Sequence, residues 1–263
     1  MEPSFDARAL SQSEIDALLA KLASDGDQAE AGTEQQWKVV KAYDFRRPDK
    51  LSKDQMRTLQ LLHESFGRIA GSSLSAFLRN AVQLSLSTIE QSVYGEYIDQ
   101  VPADTIMFIL TLEPLPGNIL ISLDLKSAMA GVDRLLGGPG LVPKSIEAPT
   151  DIELALINTL VAHLMMALKE SWGRVLELTP VIRDVVMDPR FVQVALKGDP
   201  VVVVAFELGM QRHSGSVTLC IPYVALEPAL PNLNAQSWFA SSRLGRAGQG
   251  DLLRRSLDAV TVE

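Results

Sequence analysis

Three histidines, one cysteine and one glycine-rich run are the residues whose types could support chemistry. His63 and His163 fall on two long stretches of helical periodicity, and His213 falls in a His213-Ser214-Gly215 turn. Each lacks a cysteine or second histidine at metal-ligand spacing, so they read as ordinary helix-face and turn residues. Cys220 stands alone in the apolar run Thr218-Leu219-Cys220-Ile221-Pro222, the setting of a small buried hydrophobe in a reducing compartment. The run from Gly138 to Ser145 has the outline of a phosphate-binding loop. It lacks the glycine before Lys144 and follows a helix where that motif follows a strand, so its backbone is not arranged to cradle phosphate. No Ser-His-Asp elbow and no paired catalytic carboxylates stand out. What remains is the chemistry of binding surfaces: no catalytic residues, no metal and no cofactor are expected.

The elements around the glycine run explain its place. Leu135-Leu136-Gly137-Gly138-Pro139-Gly140 closes one amphipathic segment and leads towards the next. Three glycines and a proline in four positions break both helix and strand ladder and permit φ > 0. Two readings fit, a plain tight turn or an exposed contact loop joining two similar half-domains.

Before the run, Ser52-Lys53-Asp54-Gln55 has the spacing of a capping box, and Met56, Leu59, Leu62, Phe66 and Ile69 carry a helical stripe to about Leu78. Val82, Leu84 and Leu86 alternate as a strand, and Thr88 to about Gln100 reads as a short helix. Strands over Thr105–Leu112 and Ile119–Leu125 and a helix over Lys126–Leu136 complete this half. After the run, Thr150-Asp151-Ile152-Glu153 repeats the capping box, and Leu154, Ile157, Leu160, Leu164 and Leu168 lead to Trp172. Strands over Val175–Val186, Val201–Glu207 and Ser216–Pro222 and a short helix over Tyr223–Leu230 follow. A shift of 98 positions (150 − 52) lays Ser52 on Thr150 and Gln55 on Glu153; it also lays Met56, Leu59, Leu62 and Phe66 on Leu154, Ile157, Leu160 and Leu164. Two helix–strands–helix repeats sharing one sheet predict an α/β fold, a pseudo-twofold three-layer α/β/α domain over residues 37–231.

Charge sets residues 1–36 apart. They hold eight acids against two bases, so −6 of the net −8 lies there, and the remaining 227 residues carry 24 acids and 22 bases. An acidic arm on a near-neutral body argues against nucleic acid as a partner. Within the arm, Ser11 and Glu14 are spaced as a capping box, and Leu10 and Ile15 as a hydrophobic staple. Ile15, Leu18, Leu19 and Leu22 form an apolar stripe, with Glu14 and Asp16 at the dipole-favoured first turn. A helix of about three turns within 10–22 is marginal alone in water, where isolated helices below roughly 12–15 residues do not hold, so it forms fully when its stripe docks. Ser24 to Gln36 is polar and reads as a tether spanning about 20 Å. A tethered, preorganised helix suits capture of a partner; the alternative is an arm packed back onto its own domain.

No window of 18 uncharged apolar residues occurs, so no membrane span or direct insertion is expected, and no basic n-region precedes an apolar segment as in a secretory signal. The chain reads as cytoplasmic. Beyond Pro231 the sequence turns polar, and residues 232–263 read as a linker and the start of a further unit from about Asp251.

Three features together resemble the FliM family of flagellar motor switch proteins. They are the N-terminal Leu10-Ser11-Gln12-Ser13-Glu14-Ile15-Asp16-Ala17-Leu18-Leu19, the run Leu135-Leu136-Gly137-Gly138-Pro139-Gly140, and the pair Tyr43-Asp44-Phe45-Arg46-Arg47-Pro48 and Cys220-Ile221-Pro222-Tyr223. The resemblance implies that Leu10, Ser11, Gln12, Glu14, Ile15, Asp16, Leu18 and Leu19 bind the phosphorylated response regulator CheY. It implies that Gly137, Gly138, Pro139 and Gly140 contact the rotor protein FliG. It further implies a non-enzymatic scaffold in the C-ring that controls rotation direction in chemotaxis. Such a scaffold sits peripherally at the cytoplasmic face of the inner membrane, beside neighbouring subunits of its own kind. FliN joins it where the C-terminal FliN-like module is present, and here that module is only begun. The related CheC-type phosphatases place a Glu and, three positions on, an Asn on each long helix. Here the corresponding pairs are Ala155 with Asn158 and Arg57 with Gln60, so the alternative, a response-regulator phosphatase, lacks its carboxylates. A third option is an adaptor whose N-terminal helix is only an anchor.

The arm carries its own test. Ile15→Ala or Leu18→Ala is expected to abolish binding of the phosphorylated regulator in a titration. Equal binding of phosphorylated and unphosphorylated regulator by the isolated peptide would remove its switching role.

Overall fold

The computed structural model describes residues 50–142, 148–211 and 213–233. The arm residues Leu10 to Leu19, the Tyr43–Pro48 segment, Lys144, Ser145 and the stretch from residue 234 onward lie outside the described residues.

Both capping boxes close as their spacing requires. Ser52 opens α1 (Lys53–Leu78), its side chain accepting from the Gln55 N–H while the Gln55 side chain accepts from the Ser52 N–H. Thr150 and Glu153 do the same for α4 (Asp151–Trp172). Between them lie β1 (Val82–Val93), α2 (Tyr94–Gln100), β2 (Thr105–Glu113), β3 (Ile119–Asp124) and α3 (Leu125–Leu135). After α4 come β4 (Thr179–Val186), β5 (Pro200–Met210), β6 (His213–Pro222) and the one-turn α5 (Tyr223–Leu226).

The strands form one six-stranded, fully antiparallel sheet in the order β1-β5-β6-β3-β2-β4. Exchanging β1 with β4, β2 with β5 and β3 with β6 reverses that order onto itself. A pseudo-twofold axis therefore runs between β6 and β3, as the sequence repeat requires. The opening strand of each half leaves its own half: β1 pairs with β5, from Val82 opposite Met210 to Val93 opposite Pro200, and β4 pairs with β2.

Alternation along the strands splits the core into two layers. Ile106, Phe108, Ile119, Ile121, Val202, Val204, Val217 and Leu219 face the long helices, with Leu59, Leu62, Phe66, Leu164, Leu168 and Trp172 packed on them. Met107, Leu120, Val201, Val203 and Cys220 face the other way, under Tyr94, Tyr97 and Ile98 of α2 and Val192. The three-layer α/β/α arrangement stands, with a thin second helical layer. Burial pushes the Cys220 thiol up and leaves it a small apolar side chain, as its sequence setting indicates. The α4 helix is, by length and composition alone, apolar enough to cross a membrane, with mean hydropathy 1.5 over an 18-residue window. It nonetheless contributes Ile157, Leu160, Val161, Leu164, Leu168 and Trp172 to this core.

Four local expectations are corrected. Thr88–Val93 is strand, and the helix begins only at Tyr94. The β-branched Thr88, Ile89 and Val93 sit on the long ladder to β5, and a bulge between Leu86 and Thr88 breaks the alternation that would have shown it. Val175 to Leu178 is a turn held by the Val175 and Leu176 N–H groups on the Trp172 carbonyl, so β4 starts at Thr179. His213 is the first residue of β6, opposite Met210. The last helix is α-helical only over Tyr223–Leu226 and continues as a 3₁₀ turn to Asn232, since Pro228 and Pro231 bring no N–H.

His63 is a core residue of α1 and not a surface one. It is fully buried, its Nδ1–H donates to the Leu59 carbonyl at 2.8 Å, and its ring meets Trp172 edge-on with centroids 6.1 Å apart. Burial lowers its pKa from 6.5 to about 4, opposed in part by the Leu59 hydrogen bond. Between those values the unfolded chain binds a proton that the folded chain refuses. The contribution is therefore complete above pH 6.5 and is lost as pH falls towards 4. The shift corresponds to about 3 kcal/mol. His63→Phe is expected to flatten the urea-derived stability profile between pH 6.5 and 4 relative to wild type. An unchanged slope would show that His63 does not set it.

Candidate functional site

The glycine run ends α3 in a defined geometry. Leu136 is the C-cap, Gly137 follows at φ +90°, and the Gly137 and Gly138 N–H groups donate to the carbonyls of Arg134 (3.1 Å) and Asp133 (2.7 Å). These are the two bonds of a Schellman ending, and only glycine takes the left-handed position without strain. Gly140 is also left-handed, at φ +81°.

Asp133 and Arg134, in the last turn of α3, lock the remainder of the run. The Asp133 carboxylate accepts from the N–H groups of Gly140 at 2.7 Å and Leu141 at 2.9 Å. A Cβ on Gly138 would collide with that carboxylate, so a side chain there would push Asp133 off its bonds to the loop. The Arg134 guanidinium donates from Nη1 to the Gly138 carbonyl at 2.8 Å. Its Nη2 donates to the carbonyls of Leu78 at 3.3 Å and Arg79 at 3.1 Å, at the end of α1. The run is thus a braced loop and not a slack turn. It leaves Leu136 69% and Leu141 55% exposed. Two apolar side chains are held out on a backbone whose amides are spoken for internally, which suits contact with an apolar surface.

The same bonds dispose of the phosphate-loop outline. The Gly140 and Leu141 amides that would face an anion already hold an internal carboxylate. The remaining chemical candidates are structural too. His163 packs on Phe77 with centroids 4.3 Å apart, its Nδ1 2.9 Å from Ser73 Oγ. His213 Nε2 lies 2.9 Å from Ser127 Oγ and 3.6 Å from Asp124 Oδ1. The residue types of a catalytic triad thus meet in space, but serine and aspartate address the same ring nitrogen and Ser127 is buried. A relay needs them on opposite nitrogens. Asp124 instead caps α3 at the Ser127 N–H (2.8 Å) and accepts from the Ser216 N–H (2.9 Å). Of the phosphatase-like positions, Ala155 is exposed, Asn158 Oδ1 is buried without a partner, and Gln60 bonds Glu64. Among the described residues no group of three His, Cys, Asp or Glu side chains could hold a metal ion.

The family model for flagellar motor switch protein FliM matches residues 52–238, which include both capping boxes, the whole sheet and the braced loop. The chain belongs to the FliM family. The FliM of Treponema pallidum is 36% identical over 256 residues, 97% of this chain and 74% of the relative. That of Bacillus subtilis is 34% identical over 235 residues, 89% of this chain and 71% of the relative. Among solved structures, FliM from the H. pylori FliG-FliM complex superposes with a TM-score of 0.67 at 28% identity, covering 69% of this chain and all (100%) of that one. The H. pylori FliM middle domain gives 0.64 at 27% identity, covering 69% and 99%. Thermotoga maritima FliY shares the fold, with a TM-score of 0.62 at 16% identity.

Sequence spacing located the FliM loop but not its bracing. Asp133 and Arg134 gave no signal, because their partners are backbone groups of residues as distant as Leu78. Asp133→Ala is expected to speed amide exchange at Gly140 and Leu141 by tenfold or more and to lower stability by about 1–2 kcal/mol. Unchanged exchange at those two amides would mean the carboxylate does not hold the loop.

Proposed function

We propose that this chain is a scaffold of the flagellar motor switch that binds FliG through the loop Leu136–Leu141 and phosphorylated CheY through the helix at residues 10–22. Regulator capture on the acidic arm raises its local concentration at the body and biases rotation direction in chemotaxis. Neighbouring subunits of the same kind form a ring at the cytoplasmic face of the inner membrane, and FliN joins where a C-terminal module follows residue 251.

One observation carries the FliG assignment: the loop is internally satisfied and presents two exposed leucines on a fixed backbone. Such a surface loses little conformational entropy on docking. The H. pylori relative solved in a FliG-FliM complex supports the same reading. The chain works by binding and not by catalysis: Ala155 stands where a phosphatase needs a carboxylate, and the buried Asn158 Oδ1 is turned away from solvent.

Gly138→Ala pushes the added methyl into the Asp133 carboxylate, and Pro139→Ala frees the φ that the proline ring fixes. Each is expected to weaken FliG binding about tenfold or more, roughly 1.4 kcal/mol, while the circular-dichroism melt of the body stays cooperative. Wild-type FliG affinity in both would remove the loop from the contact. Removing residues 1–36 is expected to abolish phosphorylated-CheY binding and spare FliG binding.

A further inference from the structure

Arg134 stands where two helix ends meet. The last carbonyls of α1 point at it, through Leu78 and Arg79, and so does the Gly138 carbonyl just past the end of α3. Helix C-termini carry partial negative charge, and a planar guanidinium fork bonds carbonyls in two directions at once. Arg79 at the α1 end is itself held in the left-handed region at φ +48°, which non-glycine residues rarely occupy. It is the only non-glycine residue with positive φ among the described residues. The strained turn at one end of the fork and the braced loop at the other are therefore bridged by one side chain. Residues 78 and 134 lie far apart in sequence, and among the described hydrogen bonds the Arg134 fork alone connects the α1 end to the loop.

We infer that Arg134 is a positioning residue for partner recognition: it sets the loop, and with it Leu136 and Leu141, relative to the end of α1. This rests on the loop being the FliG contact. A displacement of the α1 end reaches the loop through this guanidinium, so the contact surface reports the state of the body. Asp133 does a different task. It holds the far limb of the loop to its own helix and leaves the relation to α1 untouched.

The test is a double-mutant cycle on FliG affinity with the full chain, using Arg134→Gln, Leu136→Ala and the pair, with Arg134→Lys as a further variant. Arg134→Gln is expected to weaken FliG binding about tenfold at a temperature well below its melt, and Arg134→Lys, which cannot fork, to restore it only in part. In the Leu136→Ala background the Arg134→Gln effect is expected to shrink to about twofold or less, because a positioning residue acts only through what it positions. Full additivity of the two changes, or wild-type affinity in Arg134→Gln while Leu136→Ala loses binding, would overturn the inference and leave the contact assignment standing. Wild-type affinity in Leu136→Ala and in a Leu141→Ala control together would overturn the contact assignment, and the inference with it.

Discussion

The exchange of opening strands between the two halves is the constraint on which the rest depends. Because β1 completes its ladder on β5 and β4 completes its ladder on β2, each half leaves a long strand unpaired without the other. Unpaired buried backbone groups are costly, so the halves fold as one unit. The exchange also fixes the long helices. The α1 helix feeds directly into β1 and α4 into β4, so they come to lie side by side on one face, Ser73 of α1 against His163 of α4. The α3 helix leaves the sheet at β3, next to the pseudo-twofold axis, and ends where α1 ends. That meeting of helix ends is what lets Arg134 hold three carbonyls at once.

The symmetry is broken at the end of α3. A shift of 98 positions carries β3 onto β6 and Leu125, the start of α3, onto Tyr223, the start of α5. Yet α3 runs to Leu135 and ends in the braced loop, whereas α5 stops after Leu226 and passes into a proline-limited 3₁₀ turn. One half thus ends in a braced loop with two exposed leucines and the other in a plain closure. The second sheet face shows the same asymmetry. The α2 helix in the first half is matched in the second by the short Pro189–Phe191 turn, and the Tyr94 hydroxyl donates across to the Val192 carbonyl at 2.8 Å.

Much of this was legible in the sequence, because the signals were local. The Ser52 and Thr150 boxes placed both long helices at the residue, and the offset between them exposed the repeat. Glycine and proline marked the loop because conformational freedom is a property of residue type. What could not be read depended on partners distant in sequence. Strand exchange left no trace in either strand. The β1 extension was hidden by a bulge and by polar residues on an exposed ladder. His213 looked like a turn residue because serine and glycine come after it, while the pairing with Met210 decides its place. The bracing of the loop was invisible for the same reason: a carboxylate bonding two amides seven and eight residues on, and a guanidinium bonding carbonyls more than fifty residues back, have no periodicity.

The braced loop at the end of α3 is proposed as the surface through which this FliM-family chain meets FliG. Amide hydrogen exchange of the full chain, recorded with and without FliG, tests it most directly. Added protection is expected at residues 136–142 and the adjoining end of α1 near Arg79, with the sheet unchanged. Protection confined to the α2 face or the β4 edge, with residues 136–142 exchanging as in the free chain, would contradict it.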